Sequence, residues 1–302
     1  MWVLGRTCPV WQPTIQVKWG HRKYSGMIHV LGATRSPMKR FIKQCLAHLG
    51  YELHRRGFNV PPETFHPFVE RVSIAGVEFS FWVGDSVGKE WYEPTEHQRF
   101  SEHTETARLV KHGDRVLEIG AHHGFTMMLL SKLVGKEGLV LAVEPSPFNA
   151  MIASAQVGLN AATNCRVIQA AASDRKGSTR ITFDSNSMVT ESANGIEVPA
   201  VTVDDLDSTF GPFDVLKVDV EGFERQVLTG ASTLLQRRPR IILELHSPYL
   251  SKFGSTIEDV LSLLSPSYKG TFVPRNARDQ VYAFSSEKIP HDDIVNLFLI
   301  HA

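Results

Sequence analysis

The sequence predicts an α/β fold: a doubly wound, mostly parallel sheet with an antiparallel last strand, preceded by an N-terminal accessory segment. Three observations carry that prediction. From Arg115 onward, short apolar runs (Val116–Ile119, Leu139–Val143, Val167–Ala170, Val215–Val218, Ile241–Leu245) are separated by longer stretches, of which Phe125–Val134 and Phe148–Leu159 suit helices. Such a rhythm marks a parallel sheet with helices on both faces. The first run enters a glycine-bearing turn, Gly120-Ala121-His122-His123-Gly124, immediately before a helical stretch. Finally, 302 residues with 42% hydrophobic and 21% charged content supply one sizeable core and an accessory segment.

The charge balance speaks against some partners. Lys plus Arg and Asp plus Glu both number 32, so the formal net charge is zero and no nucleic acid is expected as partner. Cys8, Cys45 and Cys165 are widely spaced and odd in number. They form neither a disulfide framework nor a paired-cysteine zinc site, and they fit a reducing, cytoplasmic compartment. No apolar run approaches the roughly 20 residues that span a bilayer. The stretch Met1–Trp11, broken by Arg6 and Pro9, lacks the pattern of a cleaved signal peptide.

Residues 1–35 show no clear period and read as an extension, with Met27 and Met38 as alternative starts. Residues 36–100 read as an accessory region. Ser36 and Pro37 suit the start of a helix over Met38–Arg56, in which Phe41, Ile42, Cys45, Leu46 and Leu49 recur at helical spacing. Its basic side leaves two readings open, a solvated face or peripheral contact with lipid or an acidic partner. Arg71–Val83 alternates about Ala75-Gly76 and reads as a β-hairpin, and a polar helix is expected from about Pro94 to Lys111. Residues 101–302 then read as the main domain. Within it Ser178–Leu206 is a polar excursion with strands at Thr179–Phe183 and Val198–Val203. A helix near Thr256–Leu264, a strand at Gly270–Val273 and a return strand at Gln280–Phe284 would complete seven strands, and His291–Ala302 is left open between helix and strand.

Ligand chemistry is written at the strand ends. Gly120 permits a tight turn, Gly124 would leave room for a ligand, and the helix amides favour negative charge. A dinucleotide loop wants glycine at its third position, where His122 stands, and Glu118 would repel a pyrophosphate. Glu118 could instead meet an amino-acid ammonium, directly or through water. Glu144, ending the second run, is placed to accept hydrogen bonds from ribose hydroxyls. Ala171-Ala172 would leave a slot for adenine, with Ser173 or Asp174 at its exocyclic amine. S-adenosylmethionine has the ammonium, ribose and adenine, and no phosphate.

The fourth run reads Lys217-Val218-Asp219-Val220-Glu221-Gly222-Phe223-Glu224. With the glycine turn, Glu144-Pro145, the Ala-Ser-Asp segment, Leu228, Gly230-Ala231 and Ile241–His246, it resembles the FkbM family of methyltransferases over about Arg115 to His246. The resemblance implies a class I methyltransferase (Rossmann-like) fold, S-adenosylmethionine as donor, and O-methylation of a sugar, glycolipid or small natural product. It implies that Glu118, Gly120, Gly124, Glu144, Ser173 and Asp174 line the donor site, with Asp219, Glu221 and Gly222 between donor and acceptor. His122 and His123 stand where Asn often follows Gly-Ala, so no role of that Asn carries over.

A neutral hydroxyl needs alignment and a base before it accepts a methyl group. Asp219 and Glu221 sit at the crevice edge of the sheet, where open α/β folds bind ligands, and two close carboxylates can differ in protonation. His246 is a further candidate, as base or hydrogen bonder to the acceptor. Asp219, Glu244 and His246 are metal-ligand types, but no tight spacing motif accompanies them and no metal is expected. Lys217, inside an apolar run, calls for a carboxylate partner. The adjacent rings of His122 and His123 should diverge, one of them facing the site. Two rivals stand beside this reading. One is a protein of the same fold that binds a nucleotide cofactor without catalysis; the other is an NAD-dependent oxidoreductase, against which His122 and Glu118 speak. No Asn-Pro-Pro-Tyr-like segment follows the fourth run, so a flat aromatic amine is not the expected acceptor.

Overall fold

Parity along the strands decides which residues meet. In a computed structural model, which describes residues 14–16, 27–29, 65–92, 100–182, 184 and 186–301, the central sheet is built from eight strands. These are β5 (Arg115–Ile119), β6 (Leu139–Val143), β7 (Cys165–Ile168), β11 (Val215–Asp219), β12 (Arg240–His246), β13 (Tyr268–Pro274), β14 (Tyr282–Ala283) and β15 (Ile294–His301). Their order is β14-β13-β15-β12-β11-β5-β6-β7. Strands β7, β6, β5, β11 and β12 run parallel, whereas β15 is antiparallel to both its neighbours. The antiparallel last strand is therefore Ile294–His301 and not Gln280–Phe284, of which only the two-residue edge strand β14 remains. The reason is burial. Ile294–Phe298 and Leu299 are buried between two strands, whereas Tyr282 and Ala283 are exposed.

Alternate residues feed two cores. Leu117, Ile119, Leu141, Val143, Leu216, Val218, Ile241 and Leu243 pack on one face beneath α5 (Val203–Phe210), α6 (Glu224–Thr229), α7 (Ser232–Gln236) and α8 (Ile257–Leu261). Val116, Val140, Ala142, Val215 and Ile242 pack on the other beneath α3 (Phe125–Val134) and α4 (Pro147–Leu159). The period of two puts Glu118, Lys217, Asp219, Glu244 and His246 on that second face, each in step with an apolar residue of its own strand. Register brings Lys217 opposite Glu118 and Asp219 opposite Glu244.

Helix starts follow local chemistry. Ser146 caps α4 with Pro147 in its first turn, and Thr202 caps α5 by accepting from the Asp205 amide. Helix α5 begins inside the stretch expected to be excursion, and its Thr202-x-x-Asp205 signature was readable. The excursion strands β9 (Gly177–Ile181) and β10 (Ile196–Val201) join β8 (Ala171–Ala172), which precedes them, in a small sheet of order β8-β10-β9.

Residues 1–62 and 63–302 form two compact units. In the first, β1 (Thr14–Gln16) pairs antiparallel with β2 (Met27–His29); the helix expected over Met38–Arg56 lies outside the described residues. In the second, the expected hairpin is present as β3 (Phe68–Ile74) and β4 (Val77–Val83). Its turn residues Ala75 and Gly76 both have positive φ, 46° and 79°, as a two-residue hairpin turn requires. The free edge of β4 is clamped by α4. Gln156 accepts from the Trp82 amide at 2.9 Å and donates to its carbonyl at 2.8 Å, and Asn160 does the same at Ser80. Two short helices follow, α1 (Ser86–Trp91) and α2 (Ser101–Leu109). Phe100 is extended, so α2 starts later than the expected Pro94, and residues 93–99 are outside the description. Among the described residues no helix is long and apolar enough to cross a membrane.

Candidate active site

A cavity of about 460 Å³ opens at the carboxyl ends of the parallel strands, a size ordinary for small-molecule sites. One half of its wall comes from the segments at the carboxyl ends of the first three parallel strands: Ile119–His122, Val143–Pro145 and Ala170–Ala172. The other half comes from Lys217, Asp219–Glu221, Glu244, Tyr249, Arg275 and Arg278, with Asn186–Val189 of the excursion and Trp91, Tyr92, Phe100 and His103 as further walls.

In the first half, Gly120 (φ +84°) turns the chain so closely over β11 that a Cβ there would lie 1.7 Å from the Asp219 carbonyl oxygen. Glu144 is buried at the end of β6. Its Oε2 accepts from the His122 amide (2.8 Å), and its Oε1 accepts from the Ser146 amide (2.9 Å) and from Asn149 (3.5 Å). Burial pushes this carboxyl up to about 7, against the lowering effect of those bonds. The rings of His122 and His123 do not diverge; they stack at 4.1 Å and 18°. His122 (φ +48°) faces the cavity, stacked on Trp91 and 2.6 Å from the Tyr92 hydroxyl through Nδ1. His123 is fully buried away from it.

Several expected donor contacts lie elsewhere. Gly124 is not in the wall; its φ of +81° starts α3, and a Cβ would press on Met127 and on Ala153 of α4 at 2.8 and 3.2 Å. Glu118 is fully buried behind the wall, and the ammonium nearest it is the chain's own, Lys217 Nζ at 3.4 Å. Burial, only partly offset by Lys217, pushes Glu118 up to about 7. Ser173 and Asp174 also lie outside the wall. Ser173 donates its amide to Val201 and its hydroxyl to Asp174 (3.0 Å), and Gly230 packs against its carbonyl. Gly120, Glu144, Asp219 and Glu221 thus meet at one cavity, while Glu118, Gly124, Ser173, Asp174 and His246 support it from behind or stand apart.

The second half is a crowded charge cluster. Lys217 bridges Glu118 and Asp219 Oδ2, each at 3.4 Å, the carboxylate partnership its place in an apolar strand demands. Burial opposes its charge, but Asp219 and Glu118 more than compensate and hold the ammonium above its ordinary range. Burial likewise opposes ionisation of Asp219, yet Lys217 and His246 keep it below the usual carboxylate range. Glu244, 3.4 Å from Arg275, is pushed up to about 8 by burial and by Asp219. Glu221 (φ +54°) is also raised by burial. His246 is fully buried behind these carboxylates. Its Nδ1 lies 2.8 Å from Glu224 Oε1, and its Nε2 points to Glu221 (3.6 Å) and Asp219 Oδ1 (3.9 Å). Burial alone would lower its pKa, but Glu224, Glu244 and Asp219 raise it to about 10, so it is not a free base. Glu224, Tyr92 and Arg275 were not singled out as site residues from the sequence, and Glu244 only as a metal-ligand type; of the first three only Glu224 had a signal, its place in the Lys-x-Asp-x-Glu-Gly-x-Glu run.

Residues 118–280, more than half of the chain, match the methyltransferase FkbM domain. The chain belongs to the FkbM methyltransferase family. It is an S-adenosylmethionine-dependent methyltransferase, and the α/β fold with its single antiparallel strand among the seven main strands is that of class I enzymes. No curated protein gives a significant match. Among solved structures, a TehB-like SAM-dependent methyltransferase from Corynebacterium glutamicum is 12% identical with a TM-score of 0.43, over 72% of this chain and 96% of that one. A putative rRNA-methylase from Clostridium thermocellum is 15% identical with a TM-score of 0.40, over 67% and 94%. A protein-L-isoaspartate O-methyltransferase is 26% identical with a TM-score of 0.32, over 49% of this chain and 36% of that one.

The first half of the wall fits the donor. Its three segments contribute no Lys or Arg to meet a pyrophosphate, and three consecutive alanines leave room for a flat base. The Glu144 carboxylate, holding three donors, keeps acceptor capacity toward the cavity.

Proposed function

We propose that this FkbM-family enzyme transfers a methyl group to a hydroxyl oxygen of a saccharide, glycolipid or small natural product, with Asp219 and Glu221 facing that oxygen. The observation that carries the reading is the abutment of the glycine turn on the end of β11, which sets the two carboxylates at the border between the halves of the cavity. When bound, S-adenosylmethionine supplies an electrophilic methyl group that an oxygen nucleophile takes in line. The chain's own residues do the rest. Glu144 receives the ribose hydroxyls, Ile119–His122 shape the turn beneath the amino-acid end, and Ala170–Ala172 form the slot for adenine. Asp219 and Glu221 hold the acceptor hydroxyl, and one of the two takes its proton, a role worth about 10²–10⁴-fold. His246 acts as a positioning residue, keeping both carboxylates turned toward the cavity. Asn186 and Ser187 provide neutral polar contacts of the kind a polyhydroxylated acceptor uses. Zero net charge supports a small acceptor over nucleic acid, and widely spaced cysteines support a reducing, cytoplasmic compartment.

The test is methyl incorporation from labelled donor into panels of saccharides, hydroxylated natural products, amines and carboxylic acids, with the product located by mass spectrometry. O-methyl ethers are expected. Methylation confined to nitrogen or carboxylate acceptors would remove the hydroxyl assignment.

A further inference from the structure

We propose that Asp219, Glu221 and His246 form a site for one divalent cation, open on the side of the cavity. The three come from separate places, the ends of β11 and β12 and the loop between β11 and α6, yet each offers one ligand atom within 4.8 Å of the others. Glu221 Oε2 and Asp219 Oδ1 lie 3.6 and 3.9 Å from His246 Nε2. Those gaps exceed hydrogen-bond reach. They lie between the roughly 3.0 Å of adjacent and 4.2 Å of opposite ligands around an octahedral ion with bonds of about 2.1 Å.

The imidazole points to a ligand independently of the carboxylates. His246 Nε2 is buried, with no hydrogen-bond partner, and aims into the cluster. Its other nitrogen meets Glu224 Oε1 at 2.8 Å, and Glu224 is itself held by the Gly222 amide at 3.0 Å. Tyr249 stacks on the ring at 16°. A carboxylate that takes Nδ1–H fixes the tautomer and turns the Nε2 lone pair outward, the outer-shell arrangement by which metal-binding histidines are oriented. Asp219 divides its oxygens in a matching way. Oδ2 faces Lys217 at 3.4 Å and Oδ1 faces His246. Glu221 reaches the cluster from a backbone with φ +54°, a conformation that non-glycine residues hold only where the surroundings impose it.

Two carboxylates and one imidazole suit an ion of the Mg²⁺–Mn²⁺ class, with water or an acceptor oxygen in the remaining positions. The cation's task, to hold and polarise the acceptor oxygen, rests on the proposed hydroxyl methylation; its binding does not.

The test uses the full chain, stripped with chelator, and Mn²⁺ alone as probe. Loss of the free Mn²⁺ signal in electron paramagnetic resonance should give one ion per chain, with nitrogen hyperfine coupling from the imidazole. Glu221→Gln and Asp219→Asn should weaken binding at least about tenfold, and Glu224→Gln about 10–100-fold as an outer-shell change. Exposed Glu197→Gln should leave it unaltered. An undiminished free signal, binding without nitrogen coupling, or full affinity in Glu221→Gln would overturn the site. Calorimetry of the same samples with S-adenosylmethionine separates the two proposals. Donor binding and methyl transfer without Mn²⁺ uptake sink only the cation, whereas Mn²⁺ uptake without transfer to any hydroxyl sinks only the acceptor assignment.

Discussion

The two halves of the cavity are built on opposite principles. The half proposed for the donor is sequential: the chain leaving three successive parallel strands, at Gly120, Glu144 and Ala170–Ala172, each time delivers a short segment to the same edge. Its one carboxylate is held by main-chain amides and one side-chain amide. The half proposed for the acceptor is assembled across the sheet, with Lys217 and Asp219 from β11, Glu244 and His246 from β12, and Glu221 from the intervening loop. Its groups face mainly other charges, so their protonation is set collectively. A backbone-held site changes little when one side chain is altered, whereas a charge cluster redistributes.

That contrast breaks most directly at Asp219 and Glu221. Asp219→Ala or Glu221→Ala should lower kcat by about 10²–10⁴-fold with donor affinity nearly retained, read by steady-state kinetics beside calorimetry. Equal loss of donor binding would merge the halves into one unit. Glu144→Ala should do the reverse, weakening donor binding by roughly 10–100-fold through loss of charge-assisted bonds of about 1.5–3 kcal/mol. Unchanged affinity would remove the ribose contact.

Gly120→Ala tests the seam between the halves. A Cβ 1.7 Å from the Asp219 carbonyl at φ +84° forces the turn off β11, and urea unfolding should show a loss of about 3 kcal/mol or more. Smaller is the pH effect of Glu144. With its carboxyl near 7, donor affinity should rise about tenfold from pH 6 to pH 8 as the group ionises, and Glu144→Gln should flatten that rise. Stability of the donor-free protein runs the other way. The folded state binds the extra proton between the ordinary value of 4.5 and about 7, so this contribution is present in acid and lost as pH climbs through that window. Last, Gln156→Ala unclamps the hairpin edge from α4 at a cost of about 1–3 kcal/mol, visible as faster amide exchange at Trp82 with kinetics at the site little altered.

Local signals were legible where one segment decides its own conformation. The apolar runs placed the parallel strands, Phe125–Val134 matched its helix, and Ala75-Gly76 placed the hairpin. Gly120 and Glu144 were readable as cavity residues because a βα turn projects its residues to the sheet edge whatever lies beyond it. Ser173 and Asp174 were misleading for a related reason. The chain leaves the main sheet after Ile168 and enters β8, which turns them toward Val201 and Gly230. The antiparallel strand was misplaced because Gln280–Phe284 and Ile294–His301 are both short, largely apolar runs that can form strands, and only the slot between β12 and β13 chooses the longer one.

What the sequence determined by itself is the list of groups and the strand that bears each: a glycine turn, an acidic residue after the second strand, and a carboxylate pair after the fourth. What the tertiary structure alone decided is which of them share a space and which are charged. Period-two parity and register put Glu118 against Lys217 and Asp219 against Glu244. Burial beside those neighbours then turned His246 from a free candidate base into a ring fixed by Glu224, and Glu118 from a ligand contact into a buried counter-ion. Ionisation depends on distance and desolvation through space, and neither is a property of position along the chain.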